Sequence, residues 1–399
     1  MIEDVFREEW PRVVASLARR FGDLDLAEEA AGEAFLAAVT GWREQLPPNP
    51  GGWLMTTATR KAIDWLRRES QREARQAETL LRQAAAPEPA HVIEDDQLRL
   101  IFTCCHPALA PEARLSLTLR LVAGLTVEEI ARALFSSEAA VGQRITRAKA
   151  KIKAAHIPFT VPERFDERLP DVLAVVYLIF NEGYLPGSGP AVRTDLSEAA
   201  VRLARLLHAL LPDQLEVIGL LALLLMTDAR RAARVDEAGE LVTLDRQARA
   251  AWDTALLEEG HALVRACVRA NRPGPYQLQA AINAVHTSAH RFSDTDWHAI
   301  ATLYDQLYAL QPTSVVALNR AVVAAELYGP EVALADVDAL ELPNYHAYHA
   351  TRAELLRRLG RIDEARAAYT RAIESALNPA EIRYLIRRRS EMASHGDAP

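Results

Sequence analysis

The sequence predicts a nearly all-helical protein, and three observations carry that prediction. Ala, Leu, Arg and Glu dominate its 399 residues while β-branched runs are scarce. Apolar residues recur at spacings of three and four, the period of a helix. The breaks between these patterns are short and fall at Pro and Gly.

Composition narrows the class. The chain is 50% hydrophobic and 25% charged, with 17 Gly and 21 Pro, which suits a globular protein and excludes a fibrous or disordered one. Its length fits two to four domains. The most apolar run, "LEVIGLLALLLM" (Leu215 to Met226), is too short and too closely flanked by charge to span a bilayer, so it reads as a buried helix and no membrane partner is expected. No charged-then-apolar leader opens the chain. Three cysteines suit a reducing cytoplasm.

In order along the chain, residues 1–75 read as a compact helical unit. Residues 76–95 read as a linker, because "RQAAAPEPAHVIEDD" (Arg82 to Asp96) is polar and rich in Ala and Pro. A second small helical unit occupies 96–155. "HIPFTVP" (His156 to Pro162) carries two prolines and no helical period, which marks a boundary. A helical extension follows over 163–290, and repeat-like helical pairs over 291–390.

The segment from Leu125 to Lys153 is the most informative. Thr126 is a good N-cap, and Glu129 three residues on completes a capping box. Ile130, Ala131 and Leu134 give the first helix its apolar face. After a break at Phe135–Ser137 a second helix places Val141, Ile145, Ala148 and Ile152 on one side and Gln143, Arg144, Arg147 and Lys151 on the other. Two helices joined by a tight turn, the second one basic, form a helix-turn-helix pattern whose second helix enters the DNA major groove. The cations then sit beside phosphates. A helix C-terminus that is merely solvated is also often basic, and this stretch alone leaves both readings open. The net charge of −8 does not exclude DNA, since association follows the local field.

Two segments precede this one: "LAEEAAGEAFLAAV" (Leu26 to Val39) and "NPGGWLMTTATRKAIDWLRRES" (Asn49 to Ser70). Together the three resemble the extracytoplasmic-function sigma factors of bacterial RNA polymerase. The resemblance implies that an acidic helix ending in Glu33-Ala34-Phe35 docks on the β′ clamp helices of core polymerase, with Glu28, Glu29, Glu33 and Phe35 as contacts. It implies that a helix beginning near Trp53-Leu54 reads the melted −10 element through Arg60, Lys61, Trp65, Arg67 and Arg68. Single-strand capture needs a cationic groove with aromatic surface, and these residues supply it. Trp53 itself reads as core, and Trp65 as either core or base-stacking surface. The resemblance also implies that the helix-turn-helix meets the β flap and reads the −35 element with Ser137, Ala140, Gln143, Arg144, Arg147 and Lys151. The chain departs from the family's usual residues at Arg60 (often Asn), Phe135 (often Gly) and Gly32 (often Gln).

Further segments narrow the resemblance. "FTCCHPAL", "YLIFNEGY", "DARRAAR" and "RPGPYQLQAAI" look like the subgroup called ECF42, whose extension carries tetratricopeptide-like repeats. The residues agree. In "AELLRRLGRIDEARAAYTRAIESALNP", Leu359-Gly360 sits at a helix turn, with Ala365, Tyr369 and Ala372 in the second helix and Pro379 closing it. Such repeats either form a concave surface for a peptide or protein ligand, or pack on the rest of the chain. The expectation is a sigma factor, not an enzyme, with activity controlled by its own extension and with core RNA polymerase and promoter DNA as partners. A repeat-built scaffold with a degenerate DNA-binding half is the alternative.

Other clusters do not earn a chemistry. His286 and His290 are four apart but lack the Glu of a zinc-protease helix and a third ligand. Adjacent Cys104 and Cys105, followed by His106, suit a buried helix junction better than a disulfide or a zinc clamp. Asn181, Glu182, Tyr184 and Arg193 read as a polar network around "PGSG" (Pro186 to Gly189), which lacks a phosphate-loop lysine. No metal or cofactor is therefore expected.

Overall fold

The computed structural model describes residues 2–42, 47–69, 90–134, 136–162, 164–184, 194–236 and 239–392. Among them the chain forms α-helices, three short 3-10 turns and a single antiparallel bridge between Val235 and Leu241. The chain divides into two compact units, Met1–Ile179 and Phe180–Pro399.

In the first unit, α1 (Ile2–Phe21), α2 (Leu24–Gly41) and α3 (Pro50–Glu69) pack together. Asp23 caps α2, accepting from the backbone of Asp25 and Leu26 at 2.8 and 3.1 Å. Val13, Val14 and Leu17 of α1, with Ala31 and Ala34 of α2 and Leu54 and Ala58 of α3, are fully buried. Small residues on α2 and α3 let the helix backbones approach closely.

The second half of this unit holds α4 (Ala90–Cys104), α5 (Pro111–Leu121), α6 (Val127–Ala133) and α7 (Glu138–Ala154). Helix α4 begins at Ala90, inside the stretch read as linker; residues 70–89 lie outside the described residues. The modules expected over 1–75 and 96–155 pack as one unit, because α1 reaches both α4 and α5. Asp96 on α4 is fully buried and accepts from Arg19 at 2.7 Å and Arg99 at 2.6 Å. Trp10 donates its indole N–H to the Arg120 carbonyl at 3.0 Å. The turn after α5 closes through Gly124 at φ +72°, where a Cβ would lie 3.3 Å from the Trp10 ring.

The first unit also takes in most of α8 (Phe165–Tyr184). The two compact units therefore meet within this helix, between Ile179 and Phe180, while the sequence places a boundary at 156–162. The side chains tie the start of α8 to the first unit: Asp171 pairs with Arg114 of α5 at 3.6 Å, and Leu169, Val172 and Leu173 are buried.

The second unit continues with α9 (Thr194–Leu210), α10 (Leu215–Asp228), α11 (Thr254–Ala270) and α12 (Pro275–Ser288). The apolar run expected to be a buried helix is α10, with Val217 to Met226 all buried. Its Gly219 admits α12 so closely that a Cβ would lie 2.6 Å from the Gln277 nitrogen. Glu216 accepts from the Tyr276 and Gln277 backbone at 3.1 and 3.3 Å, placing a carboxylate at the start of α12. That contact accounts for the "RPGPYQLQAAI" segment structurally.

Next come α13 (Trp297–Leu310), α14 (Ser314–Leu327), α15 (Pro330–Asp338), α16 (His346–Arg358), α17 (Ile362–Ser375) and α18 (Pro379–Glu391). Successive helices pack against one another. Gly360 turns α16 into α17 at φ +72°. Ala365, Tyr369 and Ala372 are buried, and the Tyr369 hydroxyl donates to Glu354 at 2.9 Å. Pro379 starts α18 behind the Asn378 cap.

Candidate polymerase and promoter interface

The helix-turn-helix is built as its residues require. The Thr126 hydroxyl accepts from the Glu129 backbone at 3.1 Å, and the Glu129 carboxylate accepts from the Thr126 backbone at 2.7 Å. Ser137 caps α7 by accepting from the Ala140 backbone at 3.2 Å. Its hydroxyl is therefore partly committed to the helix start. Phe135 in the turn lies outside the described residues.

On α7, Val141, Ile145, Ala148 and Ile152 are buried, anchoring the helix along one face. Gln143, Arg147 and Lys151 are exposed, with Arg144 and Ala140 half-buried. Among the described residues, Arg144, Arg147 and Lys151 have no acidic partner. Their charge faces solvent and is open to phosphate.

Lys149 behaves differently from its neighbours. It is 8% exposed and turns toward α2, donating to Asp25 at 2.9 Å and to the Glu28 carboxylate. Arg120 also donates to Glu28, and Lys153 to Asp23 at 3.1 Å. Burial would raise the Glu28 pKa, but Lys149 and then Arg120 outweigh it and hold the carboxyl below its ordinary value. Burial would likewise lower Lys149, and Glu28 and Asp25 raise it instead. Both directions describe a charged pair. A sequence signal existed: Lys149 lies four residues after Ile145 and eight after Val141, on the edge of the buried face. A lysine at such a position needs an acid.

The residues expected to meet core polymerase are not all available. Glu29 is exposed and Glu33 half-exposed. Phe35 is 7% exposed and packs against Phe6 and Trp10 with ring centroids at 4.7 and 5.6 Å, so it is core, not docking surface. Glu28 is committed to Arg120 and Lys149 and likewise does not face outward. Exposed Leu36 joins Glu29 and Glu33 along a cleft of about 500 Å³ between α2 and α7.

On α3, Arg60, Arg67 and Arg68 are exposed and Trp65 is 39% exposed, which removes the core reading of Trp65. Lys61 pairs with Glu33 at 2.9 Å, joining one residue expected on DNA to one expected on polymerase. Trp53 packs edge-on against Trp42 at 5.1 Å.

Two of the clusters without an expected chemistry make packing contacts. Cys104 and Cys105 are free and fully buried, and burial pushes the Cys105 thiol up to about 11. His286 packs edge-on against Trp297 at 5.4 Å. Arg193 and the "PGSG" segment lie outside the described residues. Among the described residues no helix is long and apolar enough to cross a membrane.

A capped helix-turn-helix with a free cationic face, preceded by a three-helix module with exposed Arg and Trp, defines a promoter-recognition protein of the sigma type. Comparison with known proteins agrees: residues 5–72 match Sigma-70 region 2 and residues 99–152 match Sigma-70 region 4. Residues 168–268 match a family of unknown function, DUF6596. The chain belongs to the extracytoplasmic-function-type sigma factors that carry a C-terminal helical extension, and it serves transcription initiation. Over nearly its whole length it is similar to "Uncharacterized protein R00370" of Rhizobium meliloti (strain 1021), with 45% identity over 389 residues, 94% of this chain and 92% of that protein. No solved structure matches the chain.

Proposed function

We propose that this sigma factor reads the −35 element with Gln143, Arg144, Arg147 and Lys151 of α7 and the melted −10 element with Arg60, Trp65, Arg67 and Arg68 of α3. Glu29, Glu33 and Leu36 are the core-polymerase surface in this reading. The observation that supports it best is the cationic face of α7, which has no acidic partner among the described residues while the opposite face is buried. Ser137 and Ala140 set the start of the recognition helix and approach the groove by backbone.

The extension, of the ECF42 kind, controls the activity of the sigma half in this proposal. Its repeat-like helices α14, α16 and α18 surround a cavity of about 600 Å³ that residues Thr243, Asp245 and Arg246 of the same chain also line. Arg387 of α18 pairs with Glu240 at 2.7 Å. These contacts favour packing by the chain itself over an open peptide groove.

The test is binding to purified core RNA polymerase and run-off transcription, comparing the full chain with one ending after Ile179. That end point keeps the Arg114–Asp171 pair, which an earlier cut would remove. Core binding by both, with altered transcription by the shorter chain, is the expected result. Absence of core binding by the full chain would overturn the reading.

A further inference from the structure

The "DARRAAR" segment (Asp228 to Arg234) is not used by promoter recognition, and its arginines divide sharply. Arg231 has acidic partners, Asp228 and Glu198. Arg230 and Arg234 have none within ion-pair distance among the described residues. Yet Arg234 is only 5% exposed, and its Nη1 is buried without a hydrogen-bond partner. Nε of Arg230 is buried in the same condition.

A third arginine joins them. Asp253 donates its backbone N–H to the Ala229 carbonyl at 2.9 Å, which ties the 3-10 turn Arg231–Ala233 to the 3-10 turn Arg249–Ala251. Arg249 uses Nη1 on the carbonyls of His286 and Ala289, at 2.8 and 2.9 Å. Its Nη2 is buried without a partner, as are Nδ1 of His286 and Nε1 of Trp252. Aromatic faces hold two of the guanidinium groups: Arg234 lies 3.6 Å over Tyr184 and Arg249 lies 4.5 Å over Trp252.

These cations feel one another. Burial first, and then the charge of Arg230, lower Arg249 and His286, with His286 falling to about 4. Arg230 also opposes the charge of Arg234, which burial lowers most. Glu381 and Asp294 act on the cluster only at a distance, and Glu381 already faces His346 at 3.4 Å. Leaving buried guanidinium charge without a counter-charge is among the costliest arrangements a fold can hold. A bound anion removes that cost, and planar guanidinium forks match tetrahedral and carboxylate oxygens.

We propose that Arg230, Arg234 and Arg249, with Trp252 and His286, form a binding site in the extension for a small, multiply charged oxyanion, a metabolite bearing phosphate or carboxylate groups. The near-complete burial of Arg234 selects against a DNA backbone, which needs an open surface. Neutral His286 can add a neutral hydrogen bond.

The test is thermal unfolding of the full chain titrated with sodium pyrophosphate, inorganic phosphate or citrate, each against sodium chloride at matched ionic strength. At least one oxyanion gives a saturable rise in Tm, about 2–4 °C once it exceeds its Kd several-fold, and chloride does not. Pyrophosphate or phosphate acting alone identifies a phosphorylated ligand, and citrate acting alone a polycarboxylate. Arg234→Met and Arg230→Gln shift the half-saturating concentration at least tenfold or abolish the response. Arg205→Gln, at an exposed pair with Glu259, leaves it unchanged. If Arg234→Met does not fold, Arg249→Lys serves, since it keeps the charge but loses the fork and weakens the response. Oxyanion effects no larger than chloride, or variants that respond like the parent, overturn the site.

Discussion

Lys149 of the recognition helix is buried against Glu28 of α2, and Arg120 closes on the same carboxylate. The pair joins the promoter-reading half of the first unit to the helix expected to meet polymerase. One charge of the basic helix is thus structural, while its neighbours Arg147 and Lys151 stay exposed, as the proposed contact with DNA requires.

Removing one member takes a counter-charge from the other, leaving Glu28 with Arg120 alone or Lys149 with Asp25 alone. Glu28→Gln and Lys149→Met each destabilise the first unit by about 1.5–3 kcal/mol, the range for hydrogen bonds to charged groups. Chemical denaturation reads the loss, and a double-mutant cycle gives a coupling energy well above zero. Additive effects would show that the pair does not interact.

The same pair predicts an acid response. The Glu28 carboxyl lies below its ordinary value of 4.5 in the folded chain. Between its folded and unfolded values the unfolded state binds more protons. Its contribution is therefore complete above pH 4.5 and is lost as pH falls through the lower folded value. Burial raises Asp96, despite its bonds to Arg19 and Arg99, and this works in the opposite direction. The denaturation midpoint of Glu28→Gln, followed from pH 7 to 3, falls less steeply than that of the parent chain.

Phe35 and Glu33 separate packing from docking. Phe35→Ala opens a cavity beside Phe6 and Trp10 and costs about 3–5 kcal/mol, measured by denaturation. Glu33→Lys removes the exposed pair with Lys61, leaves stability within about 0.5 kcal/mol and lowers affinity for core polymerase. Unchanged core affinity would move the docking surface elsewhere.

Arg144→Ala with Arg147→Ala weakens binding to promoter duplex. If both side chains meet phosphate, the slope of log K against log salt falls by about 2. Measuring affinity across several salt concentrations separates this from loss of fold, which would abolish binding without a graded slope.

The sequence by itself determined the local structure. Capping residues, a 3.6-residue period and Gly turns are nearest-neighbour physics, so the Thr126–Glu129 box, the buried face of α7 and the Gly360 hairpin were all legible along the chain. So was the sigma-type order of its segments. Tertiary structure decided which charges are spent and which are free, because a counter-charge can come from far along the chain. Asp25 and Glu28 claim Lys149 from more than 100 residues away, and Glu28 and Phe35 become interior for the same reason. It also decided that Arg231 has acidic partners while Arg230, Arg234 and Arg249 have none within ion-pair distance among the described residues. Local propensity does not register that difference, which the burial of unpaired charge makes decisive.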